Sequence, residues 1–311
     1  MTESHEPGSG SGSPAPGSGT GSPAPGSGTG SPARGSGTGS PARGSGTGSP
    51  VPGSGTEREY PTALGASSLK TITLLGHDLA RDVMGTVGFG ELAFWLATQR
   101  RPSPGETRLF EAVLAALADH GFTPTAIVSR LTFLSAPDSV QGALAAGLLG
   151  GGLRFLGVTE DCGRFLHAVV SANGPQDDWD ALALETVRAQ GKARIPGLGH
   201  HVHKNGDPRT ARLFEIAAEE GLVGPHLSLF AAIGRVHPQV LGKTLPLNGA
   251  GTCGAALADL GLPLELLRGF ALLARTAGLI GQLAEELRNP VANDIFLSVD
   301  TNTRSVAPLE E

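Results

Sequence analysis

The apolar residues of this chain recur mainly at three- and four-residue spacing, the pattern of a helix with one buried face. The clearest case is a stripe that begins after Gly105 and ends near Gly121. Its members are Leu109, Phe110, Val113, Leu114 and Leu117. Glycine or proline separates similar patterns, which predict further helices. These are Val87–Thr98, Val140–Leu149, Asp178–Ala189, Pro208–Glu220, Pro225–Ile233 and Leu264–Leu287.

One short segment follows a different pattern. Residues Thr71–Leu74 alternate in the manner of a β-strand, which predicts a minor N-terminal β-hairpin. Within the helices, small residues such as Gly142 and Gly147 allow neighbouring helices to approach closely. The chain is therefore predicted to be mainly helical, with tight packing in a buried assembly or at a subunit interface.

The N-terminal segment, residues 1–56, has neither pattern. It repeats a nine-residue unit that begins Gly-Ser-Gly-Thr-Gly-Ser-Pro, with copies at Gly17, Gly26, Gly35 and Gly44. With almost no apolar side chains, it cannot offset the entropy of ordering its backbone, so we predict a disordered tether. It has neither the apolar core of a secretory signal nor the basic character of a mitochondrial one.

Net charge and cysteine content narrow the function classes. The formal net charge of −6 argues against a general nucleic-acid-binding or anionic-membrane-binding surface, so any anion site must be local. Cys162 and Cys253 are too few for a disulfide framework and are expected to be small buried residues. No apolar segment approaches the roughly 20 residues of a membrane-spanning helix. We therefore expect a soluble, cytoplasmic protein.

Residues 197–209 concentrate the candidate chemistry. Gly197 and Gly199 permit positive φ angles and a close approach of the backbone to a ligand. Asp207 followed by proline has the order of an N-cap and a first helical residue, which places Arg209 in the first turn of a helix. The unpaired N–H groups there favour a carboxylate or phosphate, and a guanidinium adds two parallel hydrogen bonds. The run predicts an anion site with a candidate acid or base.

Three histidines, His200, His201 and His203, lie in the same run. On their own they are equally compatible with a solvated turn in front of an ordinary capped helix. No cysteine, aspartate or glutamate completes them at a familiar zinc spacing, so we predict no metal.

Four ordered blocks between residues 69 and 290 carry a family resemblance. The blocks are Gly76–Glu106, Leu117–Pro124, Gly197–Arg209 and Leu260–Gly278. Together they resemble the citrate synthase superfamily, and in particular its short members, the citryl-CoA lyases. The run at 197–209 resembles the family signature Gly-Phe-Gly-His-Arg-Val-Tyr-Lys-x-x-Asp-Pro-Arg. The resemblance implies an all-α, citrate-synthase-like fold.

The resemblance also implies a division into domains and an oligomer. A large helical domain would comprise residues 57–159 and 251–311, and a smaller helical domain would be inserted at 160–250. The protein would be a homodimer with its site between the domains. Coenzyme A would bind there as an acyl-CoA beside a di- or tricarboxylate.

Motif by motif, the resemblance assigns roles to side chains. His120 and His200 would contact oxaloacetate, and Arg209 and Arg275 would hold its carboxylates, for which planar cationic forks are suited. Lys204 would meet the coenzyme A phosphate. The remaining assignments are Gly197 and Gly199 against the cofactor, Asn248 near the substrate, and Arg288 reaching a partner subunit's site. Without the resemblance, a surface ion pair would be the preferred interpretation of Arg275 and Arg288.

Two parts of the family's chemistry are not matched. Citrate synthases enolise acetyl-CoA with an aspartate in Asn-Val-Asp and a histidine in Gly-Pro-Leu-His-Gly. Ala250 stands at the aspartate position, and Arg154 or Phe155 at the histidine position, as in the citryl-CoA-lyase-like branch. Loss of a general base costs on the order of 10² to 10⁴ in rate, so ordinary synthase activity is not expected. Glu160 and Asp161 lie nearby, but a helix N-terminal turn is the favoured interpretation.

Three functions are compatible with these residues. The leading hypothesis is an acyl-CoA lyase that cleaves citryl-CoA, or a related hydroxyacyl-CoA, to acetyl-CoA and oxaloacetate. His200 would then be the general base, and Arg154 the donor to the departing enolate. The alternatives are a citrate or methylcitrate synthase, and a catalytically inactive binding protein, which Ala250 favours.

Overall fold

The computed structural model describes residues 60–200 and 202–307, which form a small sheet followed by eleven α-helices. The predicted tail and His201 lie outside these residues. The helices are α1 (Phe89–Thr98), α2 (Pro104–Ala118), α3 (Pro124–Ser135), α4 (Val140–Leu149), α5 (Val158–Asn173), α6 (Trp179–Gln190), α7 (Pro208–Glu219), α8 (Pro225–Leu241), α9 (Gly249–Asp259), α10 (Leu267–Glu286) and α11 (Ala292–Asp300). None of these described helices is long and apolar enough to cross a bilayer.

Three short antiparallel strands precede the helices. They are β1 (Gly65–Ser67), β2 (Ile72–Leu74) and β3 (His77–Asp78), and they lie in the order β1-β2-β3. Leu74 pairs with Gly65 on one side and with His77 on the other. The predicted hairpin is confirmed, and β3 extends it by one strand.

Side-chain caps fix where several helices begin. Ser103 and Glu106 form a capping box at the start of α2, in which each side chain accepts the other residue's backbone N–H. Asp207 caps α7 ahead of a proline, as the sequence predicts. Glu160 and Asp161 lie in the first turn of α5, where the helix dipole favours an acid. The structural interpretation of these two acids is thus confirmed.

Helix α9 lies at the centre of the hydrophobic core. All residues from Gly251 to Ala258 are buried. A β-carbon on Gly254 would overlap the Thr159 carbonyl oxygen of α5, so the two helices touch through their backbones. A β-carbon on Gly147 of α4 would likewise lie 2.8 Å from the Leu279 side chain of α10. The predicted tight packing of helices is confirmed.

The apolar pattern misses four helices and shortens another. Helices α3, α5, α9 and α11 are not among the predicted segments. Helix α9 is buried on every side, so it has no polar face, and its apolar residues do not recur at a helical spacing that the sequence would show. Helix α8 continues past the predicted end at Ile233 to Leu241, although Gly234 and Pro238 lie on the way. Tertiary packing therefore overrides two residues that usually end a helix.

Candidate active site

A cavity of about 730 Å³ brings together most of the predicted site residues. Its walls come from the end of α2, the segment before α5, the run at 197–209, and parts of α9 and α10. The predicted residues that line it are His120, Arg154, Gly199, His200, Lys204, Arg209, Asn248 and Arg275, with Ala250 beside them. They come from both predicted domains, whose boundaries stay a prediction. Gly197 and Arg288 do not line it, and Arg288 is exposed after the end of α10.

The cavity is strongly cationic. Five of its side chains carry a positive charge, namely Arg154, Arg194, Lys204, Arg209 and Arg275. No aspartate or glutamate is among the described lining residues. Since the chain as a whole has a net charge of −6, this positive charge is concentrated locally. Its field favours a ligand with several carboxylates or phosphates.

Two glycines shape the run at 197–209. The φ angle is +81° at Gly197 and +93° at Gly199, both positive as predicted. The Gly199 N–H donates to the Pro246 carbonyl at 2.6 Å, and the Asn248 N–H donates to the Gly197 carbonyl at 2.9 Å. A β-carbon on Gly197 would lie 2.8 Å from the Phe230 ring. Gly197 therefore packs against the core, which corrects its predicted contact with the cofactor, whereas Gly199 does line the cavity.

Asp207 and Arg209 form a two-bond ion pair at the start of α7. Arg209 Nε donates to Asp207 Oδ1 at 3.0 Å, and a terminal nitrogen donates to Oδ2 at 2.7 Å. The Gly249 N–H, at the start of α9, also donates to Oδ2 at 2.7 Å. Burial alone would raise the pKa of Asp207, but the hydrogen bonds from Arg209 and Gly249 lower it to about 2. One carboxylate thus joins two helix starts and fixes the Arg209 guanidinium.

Arg209 is consequently more constrained than the sequence suggests. Besides the ion pair, its other terminal nitrogen donates to the Ala116 carbonyl at 3.2 Å. These bonds use three of the five N–H groups of a guanidinium. Binding of a ligand carboxylate by Arg209 stays a prediction. The carboxylate would have to accept from the guanidinium N–H groups that these three bonds leave available.

The backbone holds His200 in one tautomer. The N–H groups of Val202 and His203 both donate to His200 Nδ1, each at 3.0 Å. A nitrogen that accepts hydrogen bonds carries no proton, so the neutral ring carries its proton on Nε2. Nε2 lies 3.9 Å from Asp207 Oδ2. Neutral His200 is therefore a donor at Nε2, and the general-base role predicted for it does not fit this geometry.

Three imidazoles meet beside the cavity, and we call His120, His200 and His203 the histidine cluster. The His120 and His200 ring centroids are 5.7 Å apart, and those of His200 and His203 are 4.6 Å apart. One ring nitrogen of each lies within 4.8 Å of the others. A metal bound at His200 Nε2 would move the proton to Nδ1, where two N–H groups already donate. The cluster is poorly suited to a metal, and the expected absence of one stays a prediction.

Arg275 is a buried cation with incomplete pairing. It is only 7% exposed. One terminal nitrogen lies 3.4 Å from the hydroxyls of Thr123 and Thr125, and Nε has no hydrogen-bond partner among the described residues. Burial lowers the pKa of Arg275, and the nearby Asp119 charge opposes that effect. The surface ion pair considered as an alternative is therefore wrong for Arg275, and a carboxylate ligand would supply the missing bonds.

The other predicted residues have structural contacts of their own. Asn248 caps α9 through its side-chain oxygen, and its amide donates to the Gly199 carbonyl at 2.8 Å. Lys204 Nζ donates to the His200 carbonyl at 3.0 Å. Arg154 is exposed on a single π-helical turn, a conformation often found at functional sites. The roles predicted for these three residues toward a ligand stay predictions.

Sequence reasoning missed two residues of the site. Arg194 lines the cavity, but it precedes the glycine-rich run by a few positions and belongs to no periodic pattern. The sequence alone presents His203 as part of a solvated turn or as a metal-ligand candidate. Its neighbour His120 comes from a distant part of the chain, so no local spacing indicates their contact. Extending the run upstream to include its flanking cation would have found Arg194.

Most of the folded chain matches a known protein family. The family model described as "Citrate synthase, C-terminal domain" matches residues 66–296. The chain belongs to the citrate synthase family. Its mostly helical architecture with a small N-terminal antiparallel sheet is a citrate-synthase-like fold.

This citrate synthase family member is similar in sequence to longer proteins. It is 29% identical over 202 residues to citrate synthase of Deinococcus radiodurans, which covers 61% of this chain and 50% of that protein. It is 27% identical over 216 residues to probable ATP-citrate synthase of Dictyostelium discoideum, with coverage of 64% and 34%. The chain spans about half or less of the length of these curated relatives.

Solved structures share the same fold. Citryl-CoA lyase from Hydrogenobacter thermophilus superimposes with a TM-score of 0.70 at 28% identity, covering 82% of this family member and 98% of that chain. ATP citrate lyase from Methanothrix soehngenii, solved in complex with citrate and coenzyme A, gives a TM-score of 0.67 at 21% identity, with coverage of 81% and 42%. The second likeness concerns the fold alone.

Proposed function

We propose that this chain cleaves citryl-CoA, or a related hydroxyacyl-CoA, to acetyl-CoA and oxaloacetate. The proposal rests chiefly on Arg275, a buried guanidinium with incomplete pairing in the wall of a cationic cavity. A buried charge is costly unless a partner compensates it, and the carboxylates of a citryl group are suitable partners. The likeness to a citryl-CoA lyase along 98% of that chain supports the same reaction class.

In the proposed reaction the two cavity histidines have different roles. His120 accepts the proton of the tertiary hydroxyl, and His200 orients the ligand by donating from Nε2. The carbon–carbon bond to the acetyl-CoA part then breaks. The hydroxyl oxygen becomes the ketone of oxaloacetate, and the electron pair passes to the acetyl-CoA enolate. Arg154 is the donor assigned to that enolate, whose carbon finally takes up one proton, so no water is consumed.

The described lining lacks the carboxylate with which a synthase would begin its reaction. A citrate or methylcitrate synthase begins by removing a proton from the acyl-CoA. The described lining has no aspartate or glutamate for this step, and Ala250 occupies the position where the family has its aspartate. The same observation supports the second candidate, a binding protein without turnover.

The direct test measures acetyl-CoA and oxaloacetate released from citryl-CoA by the purified full chain. We expect wild type to release both products in equal amounts. Arg275→Gln should lower kcat/KM by about 10- to 100-fold, the value of one or two charge-assisted hydrogen bonds. Arg188→Gln is the matched control, since Arg188 is exposed on α6 and does not line the cavity. Wild type that releases neither product would refute the lyase.

Two further measurements separate the alternatives. Thiol release from acetyl-CoA or propionyl-CoA mixed with oxaloacetate would identify a synthase. Calorimetric binding of oxaloacetate or coenzyme A, without turnover in either direction, would identify an inactive binding protein. The homodimer and the cytoplasmic location stay predictions. Light scattering of the same preparation measures the molar mass in solution and so tests the homodimer.

A further inference from the structure

The proposed cleavage leaves one member of the histidine cluster without a role. His203 does not line the cavity, but its ring centroid lies 6.2 Å from that of His120 in an edge-to-face arrangement. The family signature given above has tyrosine at this position, and this chain has an imidazole there. Tyrosine cannot accept a proton as a base near neutral pH, whereas imidazole can.

The charges around His120 make its protonation costly. When His120 takes the hydroxyl proton it becomes a cation in a cavity that already has five positive side chains and no described acidic one. Asp207 lies 3.9 Å from His200 Nε2 but is already paired with Arg209. Asp119, next to His120 in the chain, already accepts hydrogen bonds from the Gly121 N–H and the Gln282 amide. A group that takes the proton away from the cavity would therefore help the reaction.

His203 is placed to be that group. One ring nitrogen of His203 lies within 4.8 Å of one ring nitrogen of His120 and one of His200, the reach of a single bridging water. His200 cannot serve instead, because its Nδ1 accepts two backbone N–H groups and its Nε2 carries the proton. His203 is only partly buried, and its neighbours Val202 and Lys204 are exposed, so the position also leads to solvent.

We propose that His203 is a positioning residue of the cleavage, which receives the substrate's hydroxyl proton from His120 and passes it to solvent. The inference rests on the proposed function. The groups beside this path are His120, His200, Asp119, Asp207 and Arg209, together with the Lys204 ammonium on the His200 carbonyl. The proton lost to solvent is balanced by the one that the enolate carbon takes up.

The test compares three variants in the citryl-CoA cleavage assay. His203→Phe keeps an aromatic ring but has no proton acceptor, and His203→Ala leaves space for an added base. His77→Phe is the matched control, because His77 is an exposed histidine of β3 that packs on Trp95 outside the cavity. For each variant kcat and KM are measured separately, with and without added imidazole.

We expect His203→Phe and His203→Ala to lower kcat on the order of 10²-fold, the lower range for general acid–base assistance, and to leave KM within about 3-fold. Imidazole should restore kcat of His203→Ala in a concentration-dependent manner but not that of His203→Phe, whose ring fills the space. The control should match wild type.

Other outcomes overturn the inference in recognisable ways. Unchanged kcat in both variants, or a loss that appears in KM and is not rescued by imidazole, would show that His203 only supports the loop. Wild type without any cleavage would overturn the proposed function, and this inference with it.

Discussion

Asp207 lies at the edge of the candidate site, but its main role is in stability. Replacing it by asparagine should destabilise the whole fold. Its carboxylate is fully buried and accepts two bonds from the Arg209 side chain and one from the Gly249 N–H. The pKa of Asp207 is lowered from 3.8 to about 2, and this difference corresponds to about 2.5 kcal/mol at about 1.4 kcal/mol per pKa unit. Asparagine would also turn one acceptor into an NH₂ group that faces donors. We therefore expect Asp207→Asn to lower the free energy of unfolding by about 3 kcal/mol at neutral pH.

The pH dependence gives this prediction a second check. A carboxyl group whose pKa is lowered in the folded state contributes its full stabilisation above its unfolded pKa and loses it as the pH falls toward the folded value. The stability difference between wild type and Asp207→Asn should be constant from neutral pH down to about pH 5. It should shrink between the two pKa values of Asp207, 3.8 and about 2. Urea unfolding followed by circular dichroism measures both.

A matched control lies on the same helix. Glu215 of α7 forms an exposed ion pair with Arg212, so Glu215→Gln should cost less than about 0.5 kcal/mol. The reasoning is refuted if Asp207→Asn costs no more than this control, or if the difference grows on acidification.

Three further outcomes are expected. Ala250→Asp returns a carboxylate to the cavity wall, so it should raise the rate of deuterium exchange at the acetyl-CoA methyl group by about 10²-fold, measured by NMR. No increase would mean that the base needs another position. Gly254→Ala should lower the free energy of unfolding, measured with urea, by at least about 3 kcal/mol, because its methyl group would overlap an α5 carbonyl. Gly269 has open space around it, so Gly269→Ala should leave the free energy of unfolding unchanged or raise it by up to about 1 kcal/mol. Similar effects of both would contradict the close contact of α5 and α9. Burial raises the pKa of both thiols, to about 12 for Cys253, so Cys162 and Cys253 should react with a thiol reagent only after urea unfolding.

The sequence predicts those helices that have one face in the core and the other toward solvent. Helix α2 packs one side against the core and has a capping box at its start, so its period is visible in the sequence and it begins close to the predicted stripe. Helix α9 has neither property, because it is rich in glycine and alanine and is buried on every side. Burial of that kind follows from the arrangement of other helices, and periodicity in one segment cannot reveal it.

The candidate site follows the same rule. The sequence indicates which residues gather there, and the cavity contains His120, Arg209 and Arg275 as predicted. It does not indicate what those side chains bind within the protein. The donor state of His200 depends on two backbone N–H groups, and the constraint on Arg209 depends on Asp207. These partners determine chemical roles, and only the folded chain brings them together.

The cationic cavity also has a practical consequence for handling the protein. Five positive side chains line the cavity and no aspartate or glutamate is among its described lining residues, so it will attract any small polyanion in the solution, including phosphate, sulfate and citrate buffers. An anion present at 100 times its dissociation constant adds about 2.7 kcal/mol to the apparent stability of the state that binds it. Melting temperatures recorded in such buffers would describe a complex, and ligand affinities would appear weakened by competition. The choice of buffer is therefore an experimental variable for this chain, and uncharged or cationic buffers are its proper reference.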